Sequence, residues 1–167
     1  MEIYRVTKDS PDWQKSGYDY VRIDAFCFGQ NIPVETEFSH DARKEELNAI
    51  LIVEDHKPIA GLRITYPKPD VGKIERVCVI REKQKSGVGS VMIKAAEEWI
   101  AENNISHIVI SSQDRAAGFY QKNGYVLNEK VSPEEYEAHP RPHREPPKDL
   151  GFKPDFVCVL VEKYLNA

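Results

Sequence analysis

The segment Ile74–Gly89 reads Ile-Glu-Arg-Val-Cys-Val-Ile-Arg-Glu-Lys-Gln-Lys-Ser-Gly-Val-Gly. An apolar strand ends, a short polar loop holds Gln84, Lys85, Ser86, Gly87, Val88 and Gly89, and an amphipathic helix begins. Glycines let the backbone approach a ligand closely and take turns closed to other residues. The unpaired N–H groups of a first helical turn point at such a ligand. The helix dipole, roughly half a positive charge, then favours an anion such as a pyrophosphate. Lys83 and Lys85 add positive charge nearby. A glycine-containing strand-to-helix turn is also an ordinary connection, so Q-x-x-G-x-G alone does not identify a ligand. The dinucleotide fingerprint G-x-G-x-x-G is absent, and no Gly-Lys-Ser/Thr follows four free positions as in a Walker loop.

The elements that must position this turn follow from hydrophobic period. Ile3–Val6 alternates and predicts a short strand, and Asp12–Phe28 predicts a helix. A polar, acidic stretch runs from Gln30 to Glu46. Asn48–Glu54 predicts a buried strand, Asp55-His56-Lys57-Pro58 a turn, and Ile59–Tyr66 the returning arm of a hairpin. Gly72 precedes a strand over Lys73–Ile80. The period then changes: Val88, Val91, Met92, Ala95, Ala96 and Trp99 recur at helical spacing, with Lys94, Glu97, Glu98 and Glu102 opposite. This predicts a helix from about Gly87 to Glu102, stopped by Asn103-Asn104, and then a buried strand over Ile105–Ser111. Strand, helix and strand without a hairpin turn form a β-α-β unit, so the two strands are expected to be parallel. A shorter helix over Asp114–Lys122, closed by Asn123-Gly124, leads to a strand over Tyr125–Lys130. Phe156–Glu162 predicts a final buried strand.

The expected architecture is an α/β (α+β) fold in one domain over residues 1–167. Its sheet is mixed and mainly antiparallel, with a central parallel β-α-β crossover and helices on both faces. Between the last two strands lies the loop Val131–Pro154, with six of the eleven prolines and two of the five histidines, His139 and His143. It reads equally as a functional loop and as a surface excursion.

Composition narrows the classes. The chain has 167 residues, enough for one domain with a sizeable core. Its 23 basic and 27 acidic side chains give a net charge of −4, against a dedicated nucleic-acid binder. No apolar run approaches the roughly 20 residues of a spanning helix, and the start Met1-Glu2-Ile3-Tyr4-Arg5 has no signal-peptide core. Cys27, Cys78 and Cys158 are odd in number and form no C-x-x-C pair. They read as reduced thiols of a cytoplasmic protein, with no metal site.

The second informative segment lies one β-α unit later: Ala116-Ala117-Gly118-Phe119-Tyr120-Gln121-Lys122-Asn123-Gly124-Tyr125. Here the chain resembles the GNAT superfamily of N-acetyltransferases. That superfamily carries R/Q-x-x-G-x-G/A at the strand-to-helix turn, here Gln84–Gly89, and A-x-x-F-Y-x-x-x-G-F/Y about one β-α unit on. Both motifs match in the right order. Phe26–Phe38 also resembles the F-x-x-x-Q-x-I-P-x-E-x-E run of one bacterial GNAT branch. The resemblance covers roughly residues 3–130 and the final strand. The loop Val131–Pro154 is longer than in that branch.

The resemblance implies direct transfer of acetyl from acetyl-CoA, as co-substrate, to a primary amine. The backbone of Val77, Cys78 and Val79 would splay from Ile108–Ser111, the end that holds Ser111, and pair with the pantetheine arm. The amides of Gln84, Lys85, Ser86, Gly87, Val88 and Gly89 would hold the pyrophosphate. Tyr120 would sit near the sulfur and protonate the leaving thiolate.

The chemistry asks for the same parts. An amine of pKa about 10.4 is mostly protonated at neutral pH, and freeing it costs roughly 4–5 kcal/mol. A positioned base typically contributes 10²–10⁴ in rate. Tyr120 suits the acid, with Phe119 the better candidate for a packed ring. Glu75 is the leading base candidate; its bland role is a partner for Arg76. Gln30, Glu35 and Glu37 are acceptor-site candidates, with Glu35, Glu37 and His40 as rival bases, on a stretch that otherwise reads as a solvated acidic loop. His107 reads as a hydrogen-bonded core histidine and Cys78 as a packed thiol.

Two further classes remain open at this point. One is a catalytically silent acyl-CoA-binding module that regulates a partner, and the other a plain phosphate-ligand domain. The expected partner is a small-molecule or peptide amine, with no nucleic acid and no membrane. A homodimer through edge strands near the C-terminus is a further expectation. The acidic residues Glu35, Glu37, Asp41, Glu45 and Glu46 hint at a cationic acceptor.

Overall fold

The computed structural model describes residues 1–38, 46–137 and 156–165. Seven strands form one sheet in the order β1-β2-β3-β4-β5-β7-β6. They are β1 (Glu2–Thr7), β2 (Asn48–Glu54), β3 (Lys57–Lys68), β4 (Val71–Val79), β5 (His107–Gln113), β6 (Val126–Leu127) and β7 (Cys158–Tyr164). The helices are α1 (Asp12–Arg22), α2 (Val34–Phe38), α3 (Val88–Glu102) and α4 (Ala117–Lys122). The chain clusters into two compact units, Met1–Ile64 with Arg76–Ala96, and Thr65–Glu75 with Glu97–Ala167.

In the first unit β2 pairs antiparallel with β1 and β3. Residues Ala49 to Val53 of β2 are all buried, which explains their unbroken apolar run. Asp55 and His56 both have positive φ, 51° and 64°, the geometry of a tight hairpin turn whose twist matches the flanking strands. α1 crosses the sheet at Gly61, where an added Cβ would lie 2.9 Å from a Val21 methyl and 3.0 Å from the Tyr18 ring. The first helix does not run as one α-helix to Phe28. It widens after Arg22 into a π-type turn over Ile23–Phe28, with the Gly29 N–H donating to Asp24 O at 3.0 Å.

In the second unit β4 and β5 are parallel, as expected, and β5 pairs antiparallel with β7 along its whole length. The β4–β5 ladder spans only Val71↔His107 to Lys73↔Val109. Val71, Val109 and Leu160 form a buried cluster, against which Val131 and Tyr136 pack. Three expected strands differ. β5 runs His107–Gln113, two residues later than the expected Ile105–Ser111, in register with β7 from His107↔Tyr164 to Gln113↔Cys158. Tyr125–Lys130 shortens to Val126–Leu127, because the Asn128 N–H still reaches Leu160 O but the Asn128 side chain then accepts from the Lys130 N–H and turns the chain. The last strand begins two residues later than expected, and Val157 and Cys158 are exposed. Of the loop Val131–Pro154, residues 138–154 lie outside the described residues, and so do His139 and His143.

Among the described residues no helix is long and apolar enough to cross a membrane. Among the same residues, no group of three or more His, Cys, Asp or Glu is arranged to hold a metal ion.

Candidate active site

The turn between β4 and α3 has an unusual backbone. Lys85 and Gly87 both adopt left-handed conformations, φ 65° and 87°, either side of Ser86. Gln84 before them is extended, φ −63° and ψ 147°. Left-handed residues in a turn re-aim the neighbouring backbone N–H groups, which in suitable sequence makes an anion-binding concavity. A Cβ at Gly87 would meet nothing within 4 Å, so glycine serves the φ angle there and not the available space. Gln84, Lys85, Ser86 and Gly87 are exposed, and Val88 is buried as the first residue of α3. Gly89 is the next residue of the first helical turn. The residues present therefore fit a pyrophosphate. Lys83 is not a free cation here, since its Nζ lies 3.0 Å from Glu54 Oε1.

The turn is anchored at its base. Ile80 donates its N–H to Ile59 O at 2.9 Å, and the Gln84 side-chain amide donates to Val79 O at 3.3 Å. Asp24, on the π-type turn, accepts the Arg81 N–H at 2.9 Å on Oδ1 and the Arg81 guanidinium at 3.3 Å on Oδ2. Burial pushes the Asp24 carboxyl up, but the Arg81 N–H and guanidinium outweigh it and hold the group below its ordinary value. Arg81 also lies over the Phe28 ring at 5.6 Å.

Val77 and Val79 are half-buried and Cys78 is buried. The Cys78 thiol donates to Gly61 O at 3.4 Å. Burial pushes it up to about 12, so at neutral pH it is a protonated, packed thiol and no nucleophile.

Just before these residues Arg76 takes φ 54° inside the strand. A left-handed non-glycine residue costs roughly 1–2 kcal/mol and persists only where its surroundings hold it. The Arg76 side chain faces Glu37. Its carboxylate is 1% exposed and shared, with Oε1 accepting Arg22 Nε at 3.0 Å and Oε2 lying 3.6 Å from Arg76 Nη1. Arg22 also donates to Glu37 O at 3.1 Å and stacks its guanidinium over the Phe38 ring at 4.2 Å. Glu37 is thus a buried ion-pair member and not part of a solvated loop. Arg76 pairs with Glu37, so the expected Glu75–Arg76 pair is replaced by Glu75 beside Lys73, 3.6 Å apart.

Arg22, Asp24 and Arg76 were not among the expected site residues. A signal existed for Arg22: it lies four residues after Tyr18 and one after Val21, on the apolar face of α1. Nothing local marks Arg76.

Of the other acceptor candidates, Glu35 is exposed on α2 and Gln30 is half-buried with its N–H on Phe26 O at 3.1 Å. His40, Asp41 and Glu45 lie outside the described residues.

In the second unit Tyr120 is 7% exposed on α4, and Phe119 is only half-buried. This reverses the expectation that Phe119 is the better-packed ring. The Tyr120 ring meets Phe119 edge-on at 5.1 Å and Tyr125 at 6.1 Å. Burial, with Glu97 next and Tyr120 third, pushes the Tyr125 hydroxyl well above its ordinary value. Ser111 is half-buried on β5, opposite Leu160. Glu75 is partly exposed, beside the buried Lys73. His107 is a partly buried histidine, 3.0 Å from Glu162 and stacked on Tyr164 at 4.2 Å.

Comparison with known proteins gives the family and the fold. An uncharacterized N-acetyltransferase of Bacillus subtilis (strain 168), YjcF, is 37% identical over 112 residues, 66% of this chain and 78% of the relative. The fold is similar to the catalytic domain of the Tetrahymena GCN5 histone acetyltransferase in complex with coenzyme A. That match has a TM-score of 0.66 and 16% identity, covering 99% of this chain and 93% of that one. It is similar too to an aminoglycoside 6'-N-acetyltransferase complexed with coenzyme A (TM-score 0.69, 12% identity, 100% and 98% covered). Residues 10–125 match the Acetyltransferase (GNAT) family, and they include α1, β4, the Gln84–Gly89 turn, α3 and Tyr120; the chain belongs to that family.

Proposed function

We propose that this chain transfers an acetyl group from acetyl-CoA directly to a primary amine. The observation that carries the proposal is the left-handed pair Lys85 and Gly87 at the mouth of α3, in a chain of the GNAT family. Coenzyme A would be held through its pyrophosphate on the amides of Gln84 to Gly89. Its pantetheine arm would pair with the backbone of Val77 to Val79, on an edge beyond the point where the β4–β5 ladder ends. The bound acetyl-CoA supplies a thioester carbon open to attack.

The amine must first lose a proton. Its nitrogen then bonds to the thioester carbon, the C–S bond breaks, and the sulfur leaves as thiolate. We assign the thiolate's proton to the Tyr120 hydroxyl and the amine's proton to Glu75, directly or through water. Lys73 at 3.6 Å fixes where the Glu75 carboxylate lies. The buried ring of Tyr120, held between Phe119 and Tyr125, supports an oriented hydroxyl. Cys78 stays protonated and buried, which favours direct transfer over an acetyl-cysteine intermediate.

The amine is supported by the relative described as an N-acetyltransferase. The two coenzyme A complexes are described as acting on different acceptors, histone and an aminoglycoside, so fold similarity does not narrow the acceptor. The test is mass spectrometry of products from paired acceptors, each primary amine set against its alcohol counterpart, with acetyl-CoA as donor. Acetylated amines with untouched alcohols are the expected result. Acetylated alcohols, or no acetylated amine across amino acids, polyamines, amino sugars and lysine peptides, would overturn the amine assignment.

A further inference from the structure

The carboxylate of Glu37 does something a surface acid cannot. It is 1% exposed, and each oxygen faces a different guanidinium. Arg22, also 1% exposed, is fixed by Glu37 O and the Phe38 ring, so the carboxylate sits on a stiff mount. Across from it Arg76 is held by charge more than by hydrogen-bond geometry: Nη1 is 3.6 Å away and Nε is buried with no hydrogen-bond partner. This is the residue that adopts φ 54° in the middle of β4. It lies three residues after the last β4–β5 pair, Lys73↔Val109, and immediately before Val77. A left-handed residue inside a strand bends it and re-aims the side chains and backbone groups beyond the bend.

We propose that Glu37 is a positioning residue for coenzyme A. By holding Arg76 in its left-handed conformation, it sets the direction of the Val77–Val79 edge on which pantetheine pairs. The role rests on the reading of that edge as the coenzyme-binding one. It is distinct from an acceptor contact, since both carboxylate oxygens already face arginines.

The test separates conformation from charge by titrating the full-length chain with CoA in a calorimeter. Arg76→Val and Arg76→Gly both lack the guanidinium and both leave the Arg22–Glu37 pair intact. Valine resists positive φ, whereas glycine adopts it freely. Arg76→Gly is expected to bind CoA at least about tenfold more tightly than Arg76→Val. Glu37→Gln is expected to weaken binding at least about tenfold, and Glu37→Gln combined with Arg76→Gly to recover most of that loss. A purely structural Glu37 would not be rescued by glycine at position 76, because the double variant still leaves Arg22 without its carboxylate. Equal binding by Arg76→Val and Arg76→Gly would overturn the proposal, even if Glu37→Gln fails to fold. So would a double variant as weak as Glu37→Gln alone. A wild-type chain that binds no CoA would instead overturn the coenzyme-edge reading, and the positioning role with it.

Discussion

Asp24 Oδ1 accepts the Arg81 N–H at 2.9 Å, which ties the π-type turn after α1 to the first residue of the loop that leads into α3. The same carboxylate meets the Arg81 guanidinium through Oδ2 at 3.3 Å. One side chain thus ties the π-type turn to the segment between β4 and the Gln84–Gly89 turn. The widened helical turn presents Asp24 to Arg81, far along the chain, and leaves Phe28 exposed under the guanidinium.

Asp24→Asn keeps an oxygen for the Arg81 N–H but loses the charge. It should weaken CoA binding by about threefold to tenfold, measured by calorimetry. The Asp24 carboxyl is held below its ordinary value, so the contact stabilises the fold above the ordinary carboxylate range and is lost as pH falls through that range. The urea midpoint of wild type should therefore fall more steeply than that of Asp24→Asn on acidification from pH 5. Parallel curves would remove the contact from the stability of the fold.

Tyr120→Phe removes one hydroxyl from a ring that otherwise stays packed. Turnover should fall at least about tenfold near neutral pH with acetyl-CoA affinity little changed, because only the proton donor is lost. Unchanged turnover would exclude Tyr120 as the acid.

Glu75→Gln should flatten the acidic limb of the kcat/KM profile, since that limb reports the free enzyme's base. A profile superimposable on wild type would move the base role away from Glu75, to exposed Glu35 or to an ordered water.

Cys78 gives a pH signature of its own. Its folded-state thiol is pushed up to about 12 by burial, against an ordinary value of 9.0. Between about pH 9 and about 12 the unfolded chain releases a proton that the folded chain keeps. Stability from this group is complete below pH 9 and declines as pH rises. Cys78→Ala should lose that alkaline decline, read from urea midpoints between pH 8 and 11. At pH 8 only about one Cys78 in 10⁴ is thiolate, so a thiol reagent should label exposed Cys158 quickly and Cys78 only in denaturant. Fast labelling of Cys78 in the folded chain would contradict its burial.

How much of this was legible in the sequence depends on where each partner lies. The run Asn48–Glu54 and the helix from Val88 to Glu102 carry strong period and end on clear stop signals, and both fall within a residue of expectation. The parallel pairing of β4 and β5 was implied by the helix between them. The last strand slid by two residues because its register is set by distant partners: Tyr164 opposite His107, and Lys163 on Glu97 and Asn123 O. No local pattern encodes those. The Gln84–Gly89 segment was readable as a turn because glycine at position 87 answers a backbone demand. Arg76 was not readable, because its ion-pair partner is a carboxylate on another element, and Glu37 sits in a stretch whose composition reads as solvated. A buried ion pair between segments far apart in the chain has no spacing rule, and the arginine at an apolar helix position, Arg22, was its only sequence trace.

The most direct measurement is free-thiol release from acetyl-CoA across amino acids, polyamines, amino sugars and lysine peptides, with wild type beside Gly89→Glu. Glutamate at position 89 puts bulk and negative charge where the pyrophosphate would rest on the first turn of α3. Amine-dependent thiol release by wild type and none by Gly89→Glu is the predicted result. Release by Gly89→Glu at the wild-type rate, or no amine-dependent release by wild type on the whole panel, would contradict acetyl transfer at this turn.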